Sequence, residues 1–152
     1  LYSNELHIKD ALEQADIVIG AVLVKGAKAP KLIRRSYYAN MKKGTVIVDV
    51  AIDQGGSTEV SKVTYHNDPI YVVDDIIHYC VANMPGAVPQ TSTDALNHAT
   101  LKYGLKIANE GIIEASNYMP IYKGINTHQG RITYQAVAEA FDLSYQPFHT
   151  LK

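Results

Sequence analysis

Apolar positions change their spacing along this chain, and the changes mark its elements. In NELHIKDALEQA (4–15), Leu6, Ile8, Ala11, Leu12 and Ala15 fall largely on one face of a 3.6-residue period. That predicts a helix ended by Asp16. IVIGAV (17–22) is apolar on both faces and rich in β-branched residues, as expected of a central parallel strand covered by helices. After the loop VKGAKAP (24–30), a second amphipathic helix is expected over 31–41. Lys42 and Lys43 suit its C-terminus and Gly44 the position beyond it. TVIVDV (45–50) is the next buried strand. Helix, strand, helix, strand with short links predicts an α/β fold built on a parallel sheet.

Beyond Gly55 and Gly56 the pattern gives an edge strand near 70–73 (IYVV) and a further strand near 76–82 (IIHYCVA). NMPGAVP (83–89), with two prolines and a glycine, continues neither helix nor strand. Thr91, Ser92 or Thr93 is then the expected N-cap of a long helix, with Asp94 in its first turn. This helix runs to about Asn109 and stops at Gly111, with Ala95, Ala99, Tyr103 and Ile107 or Ala108 as its buried stripe. A short helix is expected at 112–119, a turn at 126–133 and a last helix at 134–141. The shift in composition at 83–93 separates sheet from helices.

Composition narrows the partners. A chain of 152 residues, 47% hydrophobic and 19% charged, is globular and long enough to bury a core. Fourteen Lys and Arg against 15 Asp and Glu leave a net charge of −1, with no basic field to hold nucleic acid or an anionic membrane. Cys80 is the only cysteine, so no internal disulfide forms and a reducing compartment is implied. No apolar run approaches the ~20 residues of a bilayer span. The expected location is the cytoplasm. The chain opens on Leu1, in what reads as the middle of a pattern, and is expected to be a piece of a longer one.

In open parallel sheets, ligands bind outside the carboxyl ends of the strands. Three loops leave such ends: Val22–Val24, Ile52–Gly56 and Ala82–Gly86. They bring Asp53 and Asn83 beside apolar neighbours, which suits a flat, partly apolar ligand with hydrogen-bonding edges, such as a nicotinamide ring. Each feature also has a plainer reading. Asp53 is equally a turn-former capping Gly55 or Gly56, and Asn83 a residue of the MPG bend. His78 in its strand pattern reads as packed or exposed, and Cys80 as an inert buried thiol. No His or Cys pair has metal-ligand spacing, and GxSxG, P-loop and GxGxxG motifs are all absent from the sequence.

Taken together, AVLVKGAKAPKL (21–32), MKKGTVIVDVAIDQGG (41–56) and HYCVANMPGAVPQTST (78–93) resemble the carboxyl-terminal half of bacterial alanine dehydrogenase. The similarity continues through LNHATLKYGLKIANEG (96–111) and GRITYQAVAEAF (130–141). The related NAD-binding subunit of transhydrogenase typically carries AEQGG where this chain has AIDQGG. The resemblance implies the second half of a Rossmann-type parallel sheet over 1–89. A long connecting helix and the helical part of a substrate domain would follow over 90–152. It implies reversible, NAD-dependent oxidative deamination of L-alanine to pyruvate and ammonia, in a homo-oligomer that is hexameric in the intact family.

Carried across residue by residue, Ser3 contacts the adenosine part of NAD, and Val22 and Leu23 lie against its nicotinamide half. Val50, Ala51, Ile52 and Asp53 line the nicotinamide pocket, and Val81, Ala82, Asn83 and Met84 form its other wall. Lys62 falls near a basic cofactor contact, and Asp53 matches the family's catalytic-region acid. The family's substrate-binding arginine and lysine, its catalytic histidine and its glycine-rich pyrophosphate loop lie upstream of the part that matches Leu1. This chain alone is therefore expected to be inactive, with an open sheet edge where earlier strands would pair. Two alternatives stand beside the dehydrogenase: the transhydrogenase subunit, and a non-catalytic nucleotide-binding module.

Overall fold

The computed structural model describes residues 4–25 and 28–151. Contacts divide the chain into two compact units, one of residues 4–24 and 28–87, the other mainly of residues 88–151.

The first unit is built on a four-stranded sheet of β1 (Ile17–Gly20), β2 (Val46–Asp49), β3 (Ile70–Val73) and β4 (Ile76–Tyr79), in the order β1-β2-β4-β3. β1, β2 and β4 are parallel, and β3 runs antiparallel along the outer side of β4. The α/β class read from the continuous apolar runs is what the backbone forms, and the edge strand stands at 70–73. The ladder is shorter than the runs that announce it. Ala21 and Val22, Val50, and Cys80 to Ala82 all lie beyond the strands of the sheet, although Val81 bridges Thr64.

Helix α1 (Glu5–Gln14) is capped by Asn4, whose side chain accepts the His7 N–H at 2.8 Å. Leu12 is buried and Ile8 packs beside it, but Leu6 is exposed, so the stripe resting on the sheet is narrower than the periodicity suggested. Asp16 lies beyond the helix and pairs with Lys42 at 2.8 Å.

The helix expected over 31–41 is mostly not there. Only Arg35–Asn40 turns, as a 3-10 helix. Ile33 donates its N–H to the Ser57 carbonyl and accepts from the Glu59 N–H, both at 3.1 Å, so its backbone is committed to a bridge with residue 58. Tyr37 and Tyr38 then turn inward and are buried. Lys42 and Lys43 do not close a helix either; they pair with Asp16 and Asp75, each at 2.8 Å. Leu12, Ile33, Tyr37, Tyr38, Met41, Ile47 and Ile76 form the core.

His78 is fully buried beside that core. Its ring stacks on Tyr71 at 4.9 Å and tilts against Tyr38 at 5.6 Å. Neither ring nitrogen has a hydrogen-bond partner among the described residues. Burial holds this imidazole below its ordinary pKa, and likewise pushes the buried Cys80 thiol up. The packed histidine and inert thiol of the sequence reading are both present. Between β3 and β4 the chain reverses through Asp74 and Asp75, both left-handed (φ 51° and 63°). Arg35 grips Asp74 at 2.8 and 3.1 Å.

In the second unit, α2 (Pro89–Ala115) starts on proline, whose fixed φ suits a first helical position. Thr91, Ser92 and Thr93 therefore lie inside the helix, and the N-cap is Val88, which makes no side-chain cap bond. The backbone leaves helical geometry at Gly111 (φ 74°, ψ 161°), where the sequence placed the stop, and Ile112 to Ala115 resume it. The expected stripe is largely open: Ala95, Ala99, Ile107 and Ala108 are exposed, and Tyr103 is half-buried beside Tyr118. Helix α3 (Met119–Gly124), absent from the sequence reading, follows. The turn at 126–133 is a hairpin of β5 (Thr127–His128) and β6 (Arg131–Ile132), and α4 (Gln135–Ala140) is the last α-helix. No helix among the described residues is long and apolar enough to cross a membrane.

A buried histidine with a lowered pKa contributes stability in full above its unfolded value of about 6.5. That contribution is lost as pH falls through the lower folded value, because the unfolded chain then binds the extra proton. Urea denaturation as a function of pH should show this acid loss, and His78→Phe should flatten it. A variant as acid-sensitive as the parent would remove His78 as the cause.

Candidate functional site

The three parallel strands end side by side. Register pairs Gly20 with Asp49 and Val48 with Tyr79, so the segments after β1, β2 and β4 leave one edge of the sheet together. At that edge Leu23, Val24 and Val50 are 70%, 40% and 50% exposed, an apolar rim with no cover among the described residues. Val22 is half-buried. Ala51, Ile52 and Val81 point inward and are buried as whole residues, Val81 completely, so they lie beneath this edge rather than on it. Ala82 and Met84 are half-buried, and Asn83 is exposed.

Asn83 takes left-handed geometry (φ 54°), and its carbonyl accepts the Gly86 N–H at 2.8 Å. His66 Nε2 approaches the same carbonyl at 3.1 Å, which requires the proton on that nitrogen. The bend role read for Asn83 is therefore real, and it leaves the side-chain amide at the surface. Lys62 is exposed on a loop whose own N–H donates to the Tyr71 hydroxyl at 2.9 Å. Ser3 lies outside the described residues.

Asp53 does not stand at the strand tip. It rides on a 3-10 turn, Val50–Gln54, that begins after β2 has ended. Its carboxylate is exposed and makes no hydrogen bond or ion pair among the described residues. The plainer reading of this acid fails on a specific point: the amides it would cap are already bonded. Gly55 N–H donates to the Ile52 carbonyl and Gly56 N–H to that of Ala51, both at 2.9 Å. The turn closes without the Asp53 side chain. Gln54 ties the turn to the first loop, its side chain meeting both the N–H and the carbonyl of Val24 at 3.3 Å. Lys31 Nζ donates to the carbonyls of Gly55 and Gly56, to the latter at 3.0 Å.

The acid that does end the strand is Asp49, which the sequence reading passed over. It is fully buried. The Ser57 N–H lies 2.8 and 3.1 Å from its two carboxylate oxygens, and the Ser61 hydroxyl donates at 2.6 Å. The signal was available: one acid inside TVIVDV must find donors if the run is buried. No cluster of three or more His, Cys, Asp or Glu side chains among the described residues could hold a metal ion.

Gly55 and Gly56 both have positive φ (94° and 83°) but differ in their surroundings. A Cβ on Gly55 would meet nothing within 4 Å, whereas one on Gly56 would sit 2.3 Å from Ser61 Cβ and 2.7 Å from an Asp49 carboxylate oxygen. The room at Gly56 is thus filled by this chain's own clamp. Gly55→Ala should lower stability by about 1–2 kcal/mol, the cost of the left-handed backbone alone. Gly56→Ala should cost distinctly more in urea denaturation. Equal losses would show that Ser61 and Asp49 yield freely.

With this geometry in view, comparison with known proteins is specific. Residues 1–135 match the family model described as "Alanine dehydrogenase/PNT, C-terminal domain". The chain is 51% identical over 148 residues to alanine dehydrogenase 2 of Staphylococcus aureus (strain USA300), covering 96% of this chain and 40% of that protein. A solved L-alanine dehydrogenase superposes with a TM-score of 0.77 at 47% identity, over 93% of this chain and 39% of its own. A transhydrogenase from Sinorhizobium meliloti gives 0.52 at 26% identity over 58% of this chain and 24% of its own. The chain thus spans about two fifths of the alanine dehydrogenases it matches. Family model, sequence identity and fold agree: this chain belongs to the alanine dehydrogenase/PNT family.

Proposed function

We propose that this chain is the C-terminal region of an NAD-dependent L-alanine dehydrogenase. It would supply the half of the cofactor domain that faces the nicotinamide, over residues 1–89, and helices of the substrate domain over 90–152. The observation that carries the reading is the Asp53 carboxylate, unpaired among the described residues, on the turn that Gln54 binds to the exposed rim of Val24. An acid with no structural partner beside an uncovered apolar edge is suited to a cationic or proton-bearing group on a flat ligand.

NAD, when bound, supplies the hydride acceptor. The apolar rim of Val22, Leu23, Val24 and Val50 would cover one side of its ring and exclude water. Ala82, Asn83 and Met84 would line the other wall of the pocket, Ala51, Ile52 and Val81 would support it from beneath, and Ser3 and Lys62 would reach the rest of the dinucleotide. Asp53 would accept a hydrogen bond from the substrate's amine, favour the positive charge of the imine that follows, and hold the hydroxyl proton of the carbinolamine as water adds. Ammonia and pyruvate then leave. The intact protein would work as a cytoplasmic homo-oligomer, hexameric by the family resemblance.

In the full-length enzyme, Asp53→Asn should lower kcat for alanine by roughly 10²–10⁴-fold, the usual contribution of a positioned proton-transfer group. Wild-type turnover in that variant would return Asp53 to the status of a surface residue. The 152-residue chain on its own should not oxidise alanine with NAD; measurable turnover would show that the missing groups are not needed. Hydride exchange with NADPH in place of alanine oxidation by the full-length protein would favour the transhydrogenase instead.

A further inference from the structure

We propose that Asp49 is a positioning residue for Asp53, an inference that rests on the reading of Asp53 given above. Its place is the last residue of β2, paired in register with Gly20, and its side chain is wholly inaccessible to water. The chain leaves Asp49, makes the 3-10 turn that carries Asp53, passes Gly55 and Gly56, and returns to the same carboxylate at Ser57 and Ser61. Both ends of the turn are therefore fixed to one side chain. Ser61 is in turn fixed, its Oγ accepting the Thr58 N–H at 3.0 Å and lying 2.9 Å from the Thr58 hydroxyl. From the outer side, Lys31 holds the carbonyls of Gly55 and Gly56.

This arrangement explains why an exposed acid with no contacts of its own has a defined place. Asp53 is located by its backbone alone, and that backbone is held from within by the Asp49 clamp and from outside by Lys31, Ala29 and Val24. Ionised, the Asp49 carboxylate accepts hydrogen bonds and donates none, which matches the donors converging on it. Both short bonds end on one oxygen, so asparagine keeps an acceptor for them, but its NH2 group then stands 3.1 Å from the Ser57 N–H, donor against donor. The loop must then shift, and Asp53 shifts with it. A displacement near 1 Å at a reacting group is enough to cost about 100-fold in rate.

The test is a double-mutant cycle in the full-length alanine dehydrogenase. Asp49→Asn is expected to lower kcat, by up to about 100-fold. In an Asp53→Asn background the same change should cost nothing further, because Asp49 acts only through Asp53. A merely structural Asp49 would lower kcat by the same factor in both backgrounds. Ser61→Ala removes one bond of the clamp and serves where Asp49→Asn does not fold; it should give a smaller loss that also vanishes beside Asp53→Asn. Wild-type kcat in both folded variants, or losses that multiply, would overturn the proposal while leaving Asp53 in place. Wild-type kcat in Asp53→Asn alone would overturn the role of Asp53 and this inference together.

Discussion

A carboxylate taken wholly out of water at the end of a central strand has to find donors, and the chain around Asp49 is arranged by that need. An isolated buried charge would cost several kcal/mol, so the Ser57 amide and the Ser61 hydroxyl must lie where they do. The loop that brings them back is short, and it passes so close that residue 56 has no space for a Cβ. The conformation of the turn at Val50–Gln54, the left-handed glycines and the placement of Asp53 all follow from one acid inside an apolar run.

The sheet was legible because its signal is simple. Continuous β-branched runs at 17–22 and 45–50 have few other solutions, and the edge strand at 70–73 alternates half-buried and exposed residues as it should. The helix at 31–41 was not legible, since apolar spacing alone cannot show that Ile33 has both backbone groups bonded to another segment. The stripe on α2 failed for a related reason: periodicity identifies a face, not what covers it. Within the site, motif likeness named residues that the fold gathers along one edge of the sheet, but could not separate the exposed from the buried. Ala51, Ile52 and Val81 turn inward, and only the fold reveals it. Asp49 and Asp53 are four residues apart in sequence; one is buried and bonded, the other open. Residue type does not tell them apart; only the apolar run on both sides of Asp49 does.

The interior beside β4 uses polar residues in an unusual way. His78, Tyr71 and Tyr38 form a stack in which ring faces, not hydrogen bonds, provide the contact, and the His78 nitrogens go unmatched among the described residues. Burial of an imidazole without partners is tolerable only while it is neutral. The Tyr71 hydroxyl turns away from the stack to bridge the Val60 carbonyl and the Lys62 N–H, both at 2.9 Å. One side chain thus joins this layer to the loop that runs on from the Asp49 clamp.

The two borders of the sheet differ in kind. β3 closes one side in the antiparallel sense, joined to β4 by a tight reversal at Asp74 and Asp75. β1 is the other border, parallel to its neighbour and with Ile17 and Ile19 open to solvent. The parallel pairing pattern is therefore open at β1: a further strand that pairs there would come up against Gly20 and the segment after it, and so would meet the carboxyl edge from the side opposite β4.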